Sequence, residues 1–506
     1  MRRVLIANRG EIALRVIRGC TAAGLETVAV YSDADAEAPH VHAATVAVRI
    51  GPPPAAESYL NVAALLEAAR HANADAVHPG YGFLSERAHF ARAVEQAGLI
   101  FIGPPAEAIE RLGSKTGARR LMEAAGVPVV PGVTLDDQSD AALLAAGATL
   151  GAPLLVKPAA GGGGIGMKTV RHLDELAAAL AQARREAQAA FGNSTLYLER
   201  LIDRPRHIEV QIFGDRHGQI VHLFERECSA QRRHQKVVEE TPSPAVTPAL
   251  RARLGAAAVA AARTVGYQNA GTVEFLLEGE GDDARFYFLE INARLQVEHP
   301  ITEGVVGVDL VRAQLAVAAG EPLPWSQVDL TQRGHAIECR VYAEDPARGF
   351  LPQAGPLLRY REPSGPGLRI DAGVVEGGAV SVYYDPMLAK LIAHGETREH
   401  CLARAREALT RFEILGVHTN LAFLQALLAH PAFVAGQIDT GFLDRHLAEL
   451  STAAPVPPEV LAAAAWHASL GGAPAAAAPG AAISRSDRSD RSDRSDPFDT
   501  IRGWRG

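Results

Sequence analysis

The stretch FYFLEINARLQVEHP, residues 286–300, begins as an apolar strand and passes directly into a run of polar side chains. A second strand-like segment, NAGTVEFLLE (269–278), precedes it, and the loop between the two is short, polar and contains glycine. Two strand-like runs joined by such a loop predict a β-hairpin. Folding the chain about Gly281 and Asp282 places Glu274 almost opposite Glu290. The hairpin therefore decides where the polar residues after it lie.

Three oxygen-bearing side chains are predicted to share one face of this hairpin, because side chains alternate between faces along a strand. They are Glu274, Glu290 and Asn292. Like charges directly opposite each other repel unless a positive group lies between them. Two carboxylates and an amide oxygen form a hard-oxygen site of the kind that Mg²⁺ or Mn²⁺ prefers. Two exposed carboxylates on a solvated face are the alternative.

The glycine-rich segment VKPAAGGGGIGMKTV lies between two strand-like runs. Gly161, Gly163 and Gly166 match the pattern G-x-G-x-x-G, but a strand follows them, where a dinucleotide-binding fold requires a helix. A glycine-rich loop between strands can instead lie over a triphosphate and offer it backbone N–H groups. Lys157 and Lys115 are placed to neutralise phosphate charge. A flexible surface hairpin is the alternative.

The run ERECSAQRRHQKVVEE (225–240) concentrates charge around Gln231, His234 and Lys236. A run of this kind is usually a solvated face. Because it follows an apolar strand, a small-anion site at Lys236 is the alternative. His207 lies upstream in HIEV, and a lone histidine in such a strand is more often structural than catalytic.

Arg340 lies within the strand-like segment AIECRVYAED, between Cys339 and Val341. A charged group among apolar strand residues needs partners for its charge. We therefore expect Arg340 to be buried and paired.

The chain divides into four regions by texture. Alternating strands and helices over residues 1–113 predict a parallel α/β domain. Residues 114–335 contain the glycine-rich segment and the hairpin, and residues 336–446 form a third region that opens with AIECRVYAED. Residues 447–506 are rich in Ala and Pro and then repeat Arg-Ser-Asp, so we expect a disordered linker.

Composition excludes several classes of function. The formal net charge of −8 argues against a general binder of nucleic acid or of anionic membranes. No apolar run approaches the roughly 20 residues that span a bilayer, and MRRVLIANRG resembles no signal or transit sequence. The four cysteines are far apart and show no metal-ligand spacing, so we expect free thiols and a cytoplasmic location.

Taken together, these stretches resemble the biotin carboxylases of the ATP-grasp superfamily. The matching stretches are VLIANRGEIA, HPGYGFLSE, KPAAGGGGIGM, CSAQRRHQKVVEE, FLEINARLQVEHPITE and ECRVYAEDP. They occur in the family's order and cover essentially residues 1–446. The resemblance implies an α/β and α+β multidomain fold: a Rossmann-like N-terminal domain, an ATP-grasp domain with a mobile lid at about residues 131–203, and a C-terminal biotin carboxylase domain.

The resemblance also implies roles for individual residues. The ATP-binding positions correspond to Lys115, Lys157, Gly161, Gly162, Gly163, Gly164, Gly166, Met167, Glu199, Leu201, His207, Gln231, His234, Glu274 and Glu290. The metal positions correspond to Glu274, Glu290 and Asn292, and the bicarbonate pocket to Lys236, Arg294, Gln296 and Val297. The catalytic positions correspond to Glu298, the general base, to Arg340, which holds the biotin enolate, and to Lys236 and Arg294. Ile165 departs from the family, which often has a basic residue there, so a weaker phosphate clamp is expected at most.

The implied reaction is carboxylation of biotin with ATP, bicarbonate and Mg²⁺ or Mn²⁺, through carboxyphosphate. No lysine follows Lys390, so biotin is expected as a substrate on a carrier outside this chain. Either the chain is a truncated subunit or its carrier is a separate polypeptide. A homo-oligomer is expected because members of the family commonly dimerise.

Within the family, PSGPGLRIDAG, VSVYYDPMLAKLI and ILGVHTNLAFL most resemble the α-subunits of methylcrotonoyl-CoA carboxylase. PFDTIRGWRG, at the end of the linker, resembles the start of the segment that leads into the subunit-tethering domain of those α-subunits. A carboxyltransferase β-subunit is then the expected partner. The alternatives are the corresponding component of an acetyl- or propionyl-CoA carboxylase, another ATP-grasp enzyme that activates bicarbonate or a carboxylate, and a catalytically silent nucleotide-binding subunit.

Overall fold

The N-terminal region is built on a five-stranded parallel sheet. The structure, a computed structural model, describes residues 1–160, 165–233, 235–452 and 458–469. The strands of this sheet are β1 (Arg3–Ile6), β2 (Glu26–Ser32), β3 (Val46–Gly51), β4 (Ala76–His78) and β5 (Ile100–Phe101). They lie in the order β3-β2-β1-β4-β5. Leu5 packs into one apolar core and Val4 and Ile6 into another, so both faces of the sheet are covered.

Helices alternate with these strands, as the sequence pattern predicts. They are α1 (Gly10–Ala22), α2 (Pro39–Ala43), α3 (Val62–His71), α4 (Ala88–Gln96) and α5 (Ala106–Leu112), with 3₁₀ turns at Asp33–Asp35 and Ala55–Glu57. In α1, Ile12, Val16 and Cys20 are buried at helical spacing. The predicted parallel α/β architecture is confirmed.

Residues 132–200 form a small unit with its own sheet and core, which we call the lid unit. Helix α6 (Lys115–Ala124) leads into it. Its elements are β6 (Gly132–Val133), α7 (Asp140–Leu150), β7 (Leu154–Pro158), β8 (Lys168–Val170), a 3₁₀ turn (Leu173–Glu175), α8 (Leu176–Phe191) and β9 (Leu196–Arg200). The strands are antiparallel in the order β6-β9-β7-β8. The buried apolar side chains that form its core are Leu143, Leu154, Val156, Val170, Leu176, Leu180, Ala183, Ala187, Leu196 and Leu198.

The segment after the lid unit supplies five long strands and three helices. The strands are β10 (Arg206–Gly214), β11 (Ile220–Arg232), β12 (Gln235–Thr241), β13 (Asn269–Glu278) and β14 (Arg285–Asn292). The helices are α9 (Pro248–Val265), α10 (His299–Val306) and α11 (Leu310–Ala318), and a 3₁₀ turn follows at Gln327–Asp329.

The C-terminal region combines two long antiparallel strands with short strands and helices. Its strands are β15 (His335–Tyr342), β16 (Glu344–Asp345), β17 (Leu351–Pro352), β18 (Gly355–Pro356), β19 (Arg359–Arg361), β20 (Leu368–Ala372), β21 (Ala379–Val380), β22 (Met387–Gly395) and β23 (Glu413–Leu415). Its helices are α12 (Arg398–Arg411), α13 (Leu421–Ala429), α14 (Pro431–Val434), α15 (Phe442–Leu450) and α16 (Pro458–Ser469), with a 3₁₀ turn at Pro346–Arg348.

A single antiparallel sheet joins these two regions. Its strand order is β14-β13-β10-β11-β12-β15-β22-β20. Strands β12 and β15 pair directly, with Glu239 opposite Glu338. The sheet therefore runs without interruption across the boundary that we predict between residues 335 and 336.

The hairpin that the sequence predicts is formed by β13 and β14. Glu274 is the register partner of Glu290, as expected. The next pair is Phe275 with Phe288, so Leu289 is an extra residue in β14. This bulge shifts the register by one residue and sets the two carboxylates opposite each other.

The end of the described chain departs from the predicted linker. Helix α16 (Pro458–Ser469) lies where we expect disorder, and its described side chains are exposed. Alanine has the highest helix propensity of the amino acids, which accounts for a helix in this alanine-rich segment. The Arg-Ser-Asp repeat and PFDTIRGWRG lie outside the described residues. Within the described ranges no helix combines the length and apolarity needed to cross a bilayer.

The separate core of the lid unit makes a testable prediction. Leu198→Ala removes a fully buried side chain from that core, and it should lower the free energy of unfolding of the lid unit by about 2–5 kcal/mol. Hydrogen exchange followed by mass spectrometry should speed up over residues 132–200 and stay unchanged in β1. Leu144→Ala, at a position 36% exposed in the same unit, is the matched control. Equal acceleration along the whole chain would contradict an independent lid core.

Candidate active site

Three carboxylates converge on the ammonium of Lys236, at the start of β12. Lys236 Nζ donates to Glu209 Oε2 at 2.5 Å, to Glu298 Oε1 at 2.8 Å and to Glu274 Oε1 at 2.9 Å. All four side chains are buried. Burial disfavours the ammonium, but the attraction of the three carboxylates outweighs it and raises the pKa of Lys236. Lys236 is thus the positive group that the facing carboxylates of the hairpin require.

A fully buried arginine on β11, Arg226, binds the second oxygen of Glu209. Arg226 Nε donates to Glu209 Oε1 at 2.5 Å. Its other nitrogens donate to Gln211, Thr302 and Thr272 at 2.8–3.0 Å. Arg226 therefore has its charge and its donors satisfied without water, and Glu209 bridges two cations.

Arg340 binds the other oxygen of Glu298, and it is buried and paired, as the sequence predicts. Its Nη2 donates to Glu298 Oε2 at 3.1 Å, and its Nε donates to Glu239 Oε1 at 2.6 Å. Burial favours the neutral acid of Glu298, but Lys236 and Arg340 outweigh burial and hold the pKa of Glu298 well below its usual range. Glu298 is therefore an ionised carboxylate between two cations.

These contacts form one continuous series of alternating charges, which we call the charge chain. Its members in spatial order are Arg226, Glu209, Lys236, Glu298, Arg340 and Glu239. All of them have less than 10% of their surface exposed. The charge chain reaches from the centre of the sheet to its C-terminal part.

The charged run at residues 225–240 is not a solvated face at the residues that matter most. Gln231, Arg232 and Lys236 are buried, and only Arg233 among its described cations is exposed. The solvated-face interpretation is therefore wrong here, because this run pairs as β11 and β12 within a covered sheet. His234 lies outside the described residues.

The candidate metal ligands lie on the hairpin face beside Lys236. Asn292 Nδ2 donates to Glu274 Oε1 at 2.8 Å, and His207 Nε2 lies 3.1 Å from Glu274 Oε2. Glu290 is half-buried; burial and the facing Glu274 carboxylate raise the pKa of Glu290, and Lys115 opposes that rise. Two carboxylates set opposite each other on adjacent strands, with an amide beside Glu274, form a donor set that suits a hard divalent cation.

Arg294 and its neighbours form the polar turn between β14 and α10. Arg294 donates to Glu86 Oε2 at 3.0 Å and to Gln296 Oε1 at 2.5 Å. Lys390, which is fully buried, donates to the carbonyl oxygen of Val297 at 2.6 Å. These contacts fix the turn, so that Glu298 at the start of α10 faces Lys236.

A cavity of about 120 Å³ opens beside Arg340. Its walls come from the N-terminal region, from the polar turn and from the C-terminal region. They include Asn8, Glu11, Tyr81, Arg294, Val297 and Arg340. The cavity brings the predicted biotin residue and part of the predicted bicarbonate pocket to one surface.

The lid unit and helix α6 carry further predicted nucleotide residues. Lys157 Nζ donates to Glu199 Oε2 at 2.9 Å, and Arg119 on α6 donates to Glu199 Oε1 at 2.9 Å. Burial opposes the charge of Lys157, but Glu199 outweighs burial and raises the pKa of Lys157. Lys115 is half-buried at the first turn of α6, whose N-cap is Ser114.

The other predicted positions on the lid side differ in how much the structure says of them. Leu201 is half-buried, and its backbone N–H donates to Pro153 O at 3.0 Å. Met167 is half-buried, and Gly166 has a φ of +76° that favours glycine. Gly161, Gly162, Gly163 and Gly164 lie outside the described residues.

Several residues of the site carry no prediction from the sequence. They are Glu86, Arg119, Arg226, Glu239 and Lys390. A buried charge within a strand was the signal available for Arg226 and Glu239, and the same signal did identify Arg340. For Glu86, Arg119 and Lys390 the contacts are long-range, and no local pattern announces them.

The charge chain predicts a large stability cost when one cation is removed. Arg226→Met leaves Glu209 and three polar groups short of a partner in a dry interior, so the free energy of unfolding should fall by about 3–5 kcal/mol. Urea denaturation measures it. Arg49→Met, which removes an exposed pair with Asp33, is the control and should change stability far less. Equal losses in the two variants would contradict a structural dependence on the charge chain.

Family models match most of the chain. Residues 1–109 match "Biotin carboxylase, N-terminal domain", residues 114–326 match "Carbamoyl-phosphate synthase L chain, ATP binding domain", and residues 338–445 match "Biotin carboxylase C-terminal domain". Among solved structures, the biotin carboxylase domain of Hydrogenobacter thermophilus 2-oxoglutarate carboxylase is 42% identical with a TM-score of 0.84, covering 90% of this chain and 99% of that one. That structure is a dimer in complex with MgADP, ADP and bicarbonate.

Curated relatives of two kinds are similarly close. The mitochondrial methylcrotonoyl-CoA carboxylase subunit alpha of Glycine max is 51% identical over 448 residues, which are 88% of this chain and 61% of that protein. The chain thus spans about three fifths of the length of such relatives. The biotin carboxylase of Halalkalibacterium halodurans is 52% identical over 88% of this chain and 98% of its own length. With the site geometry above, these similarities establish that the chain belongs to the biotin carboxylase family.

Proposed function

We propose that the chain carboxylates biotin, using ATP and bicarbonate. The observation that supports this most directly is the position of Glu298, an ionised carboxylate between Lys236 and Arg340. Its neighbours Val297 and Arg340 line the cavity. A related structure is described as a complex with MgADP and bicarbonate. A base, two cations and a small cavity meet the needs of a reaction that must deprotonate one anion and stabilise another.

In the first step, Glu298 accepts the proton of bicarbonate. Lys236 and Arg294 would bind the bicarbonate oxygens, and a second anion beside Lys236 would weaken its hold on Glu298. The pKa of Glu298, which the ion pairs hold low, then rises and makes the carboxylate a better base. The bicarbonate oxygen attacks the γ-phosphorus of ATP, the bond from that phosphorus to the β,γ-bridging oxygen breaks, and ADP leaves with carboxyphosphate formed.

In the second step, carboxyphosphate breaks its C–O bond to give CO₂ and phosphate. The phosphate accepts the proton from N1 of biotin, and N1 forms its bond with the carbon of CO₂. Negative charge develops on the ureido oxygen of biotin, and Arg340 is the group at the cavity wall that can donate to it. The carrier presents biotin from the cavity side.

The metal and the lid complete this proposal. Glu274, Glu290 and Asn292 would hold a divalent cation, which supplies positive charge next to the phosphates of ATP. Lys157 and the glycine-rich loop of the lid unit would cover the phosphates and exclude water from carboxyphosphate. Ile165 is 40% exposed, which fits a role for the backbone of this loop and not for that side chain.

We further propose that the chain serves a methylcrotonoyl-CoA carboxylase, with a biotin carrier and a carboxyltransferase β-subunit as partners. Support comes from the relatives that carry this name, although bacterial biotin carboxylases are equally similar. An acetyl- or propionyl-CoA carboxylase is the alternative. The description of a dimer for one related structure supports a homo-oligomer. The four cysteines are free and buried, which suits a reducing compartment such as the cytoplasm.

The proposed roles predict that two variants lose different parts of the activity. Glu298→Gln should reduce bicarbonate-dependent phosphate release from ATP by roughly 10²–10⁴-fold, because the base is lost. Arg340→Lys should retain much of the slow biotin-independent release but lose the stimulation by free biotin, because an ammonium cannot reproduce the two-sided guanidinium contacts. Phosphate release with Mg²⁺ and bicarbonate, with and without biotin, measures both.

The same assay separates the other activities. Turnover that requires bicarbonate but ignores biotin, with free or carrier-bound biotin alike, would point to a different ATP-grasp reaction. Tight ATP binding without turnover would favour a silent nucleotide-binding subunit. Arg49→Met, at the exposed ion pair, is the activity control and should behave as the wild type.

The metal site predicts a shift in Mg²⁺ dependence. Glu290→Gln keeps the shape of the side chain but removes one carboxylate charge, so the Mg²⁺ concentration for half-maximal activity should rise about tenfold, which corresponds to about 1.4 kcal/mol of binding free energy. Chelation with EDTA should abolish activity, and Mg²⁺ or Mn²⁺ should restore it. Glu280→Gln, in the loop of the same hairpin where the side chain is exposed, is the control. An unchanged Mg²⁺ requirement in Glu290→Gln would remove Glu290 from the metal site.

A further inference from the structure

Two glutamates face each other on adjacent strands behind Arg340. Glu239 on β12 is the register partner of Glu338 on β15, so the two side chains leave the same face of the sheet as direct cross-strand neighbours. Both are fully buried. Like charges opposite each other in a dry sheet repel, so this pair needs a cation between its members or a proton.

Arg340 pairs with only one oxygen of these two glutamates. Its Nε and Nη2 both approach the same oxygen of Glu239, Oε1, at 2.6 and 2.5 Å, and Nη2 also donates to Glu298. The second oxygen of Glu239, Oε2, is buried, and no described residue forms a hydrogen bond with it. Glu239 thus has one well-paired oxygen and one that can still accept.

Lys390, the other cation near this pair, is committed elsewhere. It lies on β22, on the far side of β15, and its Nζ donates to Val297 O at 2.6 Å. The same ammonium lies 3.2 Å from Glu11 Oε1 and 4.0 Å from Asp371 Oδ2. Across the described ranges, neither oxygen of Glu338 has a hydrogen-bond partner. Three buried carboxylate oxygens, one of Glu239 and two of Glu338, therefore lack a hydrogen-bond donor among the described residues.

We propose that Glu338 is a protonated carboxylic acid that donates its proton to Oε2 of Glu239 and acts as a positioning residue for Arg340. The one proton satisfies the pair, removes the repulsion between the two strands and fixes the Glu239 carboxylate that orients the guanidinium. This role rests on the proposed carboxylation of biotin, because it concerns the arginine that faces the ureido oxygen.

The surroundings of Glu338 are consistent with an uncharged acid. Burial is the main cause that raises the pKa of Glu338 well above its ordinary value; Glu239 adds to it, and Lys390 and Arg340 oppose it. Burial likewise raises the pKa of Glu239 to about 7. Helix α10, which packs on this face, contributes Glu298, whose negative charge disfavours a second ionised carboxylate.

Helix α10 also contributes a histidine, but not a cation. His299 is fully buried, and burial together with Lys390 lowers its pKa well below the usual range. It is therefore uncharged near neutral pH and does not stabilise an ionised Glu338.

The proton has a consequence for catalysis. An ionised Glu338 would place a further negative charge next to the position where biotin becomes an oxyanion. A protonated Glu338 instead withdraws electron density from Glu239 through a hydrogen bond. Arg340 then keeps more of its positive charge for the ureido oxygen.

Two variants of similar size test the positioning role. Glu338→Gln keeps an uncharged donor for Glu239 Oε2, and its KM for biotin and its kcat should stay within about twofold of the wild type. Glu338→Leu removes the donor, and its KM for biotin should rise roughly fivefold, the size expected for one lost hydrogen bond. Biotin-independent phosphate release should be equal in all three proteins. Equal impairment of both variants, or no change in Glu338→Leu, would overturn the proposal.

Two further measurements detect the proton without turnover. An acid whose pKa is raised by folding loses stabilisation as pH rises above its ordinary value of 4.5 toward the raised one. Glu338→Gln should therefore melt at a higher temperature than the wild type at pH 8, and the difference should shrink toward pH 5. Infrared spectra at pH 7 should show a carboxylic-acid carbonyl band that Glu338→Gln lacks. The proposal would be overturned if the two proteins melted alike at pH 8 or if their infrared spectra did not differ in that band. Inactivity of the wild type with biotin would overturn only the proposed function.

Discussion

The ammonium of Lys236 sits among carboxylates from three different elements, and their mutual repulsion makes it the contact on which the site depends. Glu209, Glu274 and Glu298 come from β10, β13 and the start of α10. Without a cation between them, three buried carboxylates would have to take up protons or move apart. The proposed metal ligand Glu274, the proposed base Glu298 and the bridging Glu209 thereby share one counter-ion. An anion that binds beside Lys236 would weaken its hold on all three.

The continuous sheet turns this local contact into a connection across the molecule. Because β12 pairs with β15, the charges on β10, β11 and β13 lie in fixed register with those on the C-terminal strands. The charge chain follows that register from Arg226 to Glu239. In a buried region, such alternating charges strengthen one another and are costly to interrupt. The side of the site proposed to bind bicarbonate and the side that faces the cavity are therefore joined by one continuous sheet.

The sequence predicts the features that depend on local spacing. The symmetry of the hairpin about its loop places Glu290 within one residue of the position opposite Glu274, and the bulge at Leu289 completes their facing. The burial of Arg340 follows from its apolar neighbours. The bulge at Leu289 is invisible in the sequence because it depends on how the two strands twist. The pairing of Arg226 with Glu209 and of Glu239 with Glu338 requires the register between strands, which composition does not encode. The same limit explains why a charged run looks like a solvated face.

One side of the site is held by the continuous sheet, and the other belongs to the lid unit, which has its own core. The two sides are therefore suited to different tasks. The groups proposed to activate bicarbonate are held by the sheet before any substrate binds, and the cost of assembling their charges is met by folding. Lys157 and Glu199 belong to a unit with its own core, connected to α6 through Arg119. Lys157 forms an ion pair with Glu199 in this structure. Phosphates that bind Lys157 would therefore have to compete with Glu199. In the proposed reaction, nucleotide binding is thereby coupled to the Lys157–Glu199 contact of the lid unit, while the proposed base, Glu298, remains beside Lys236.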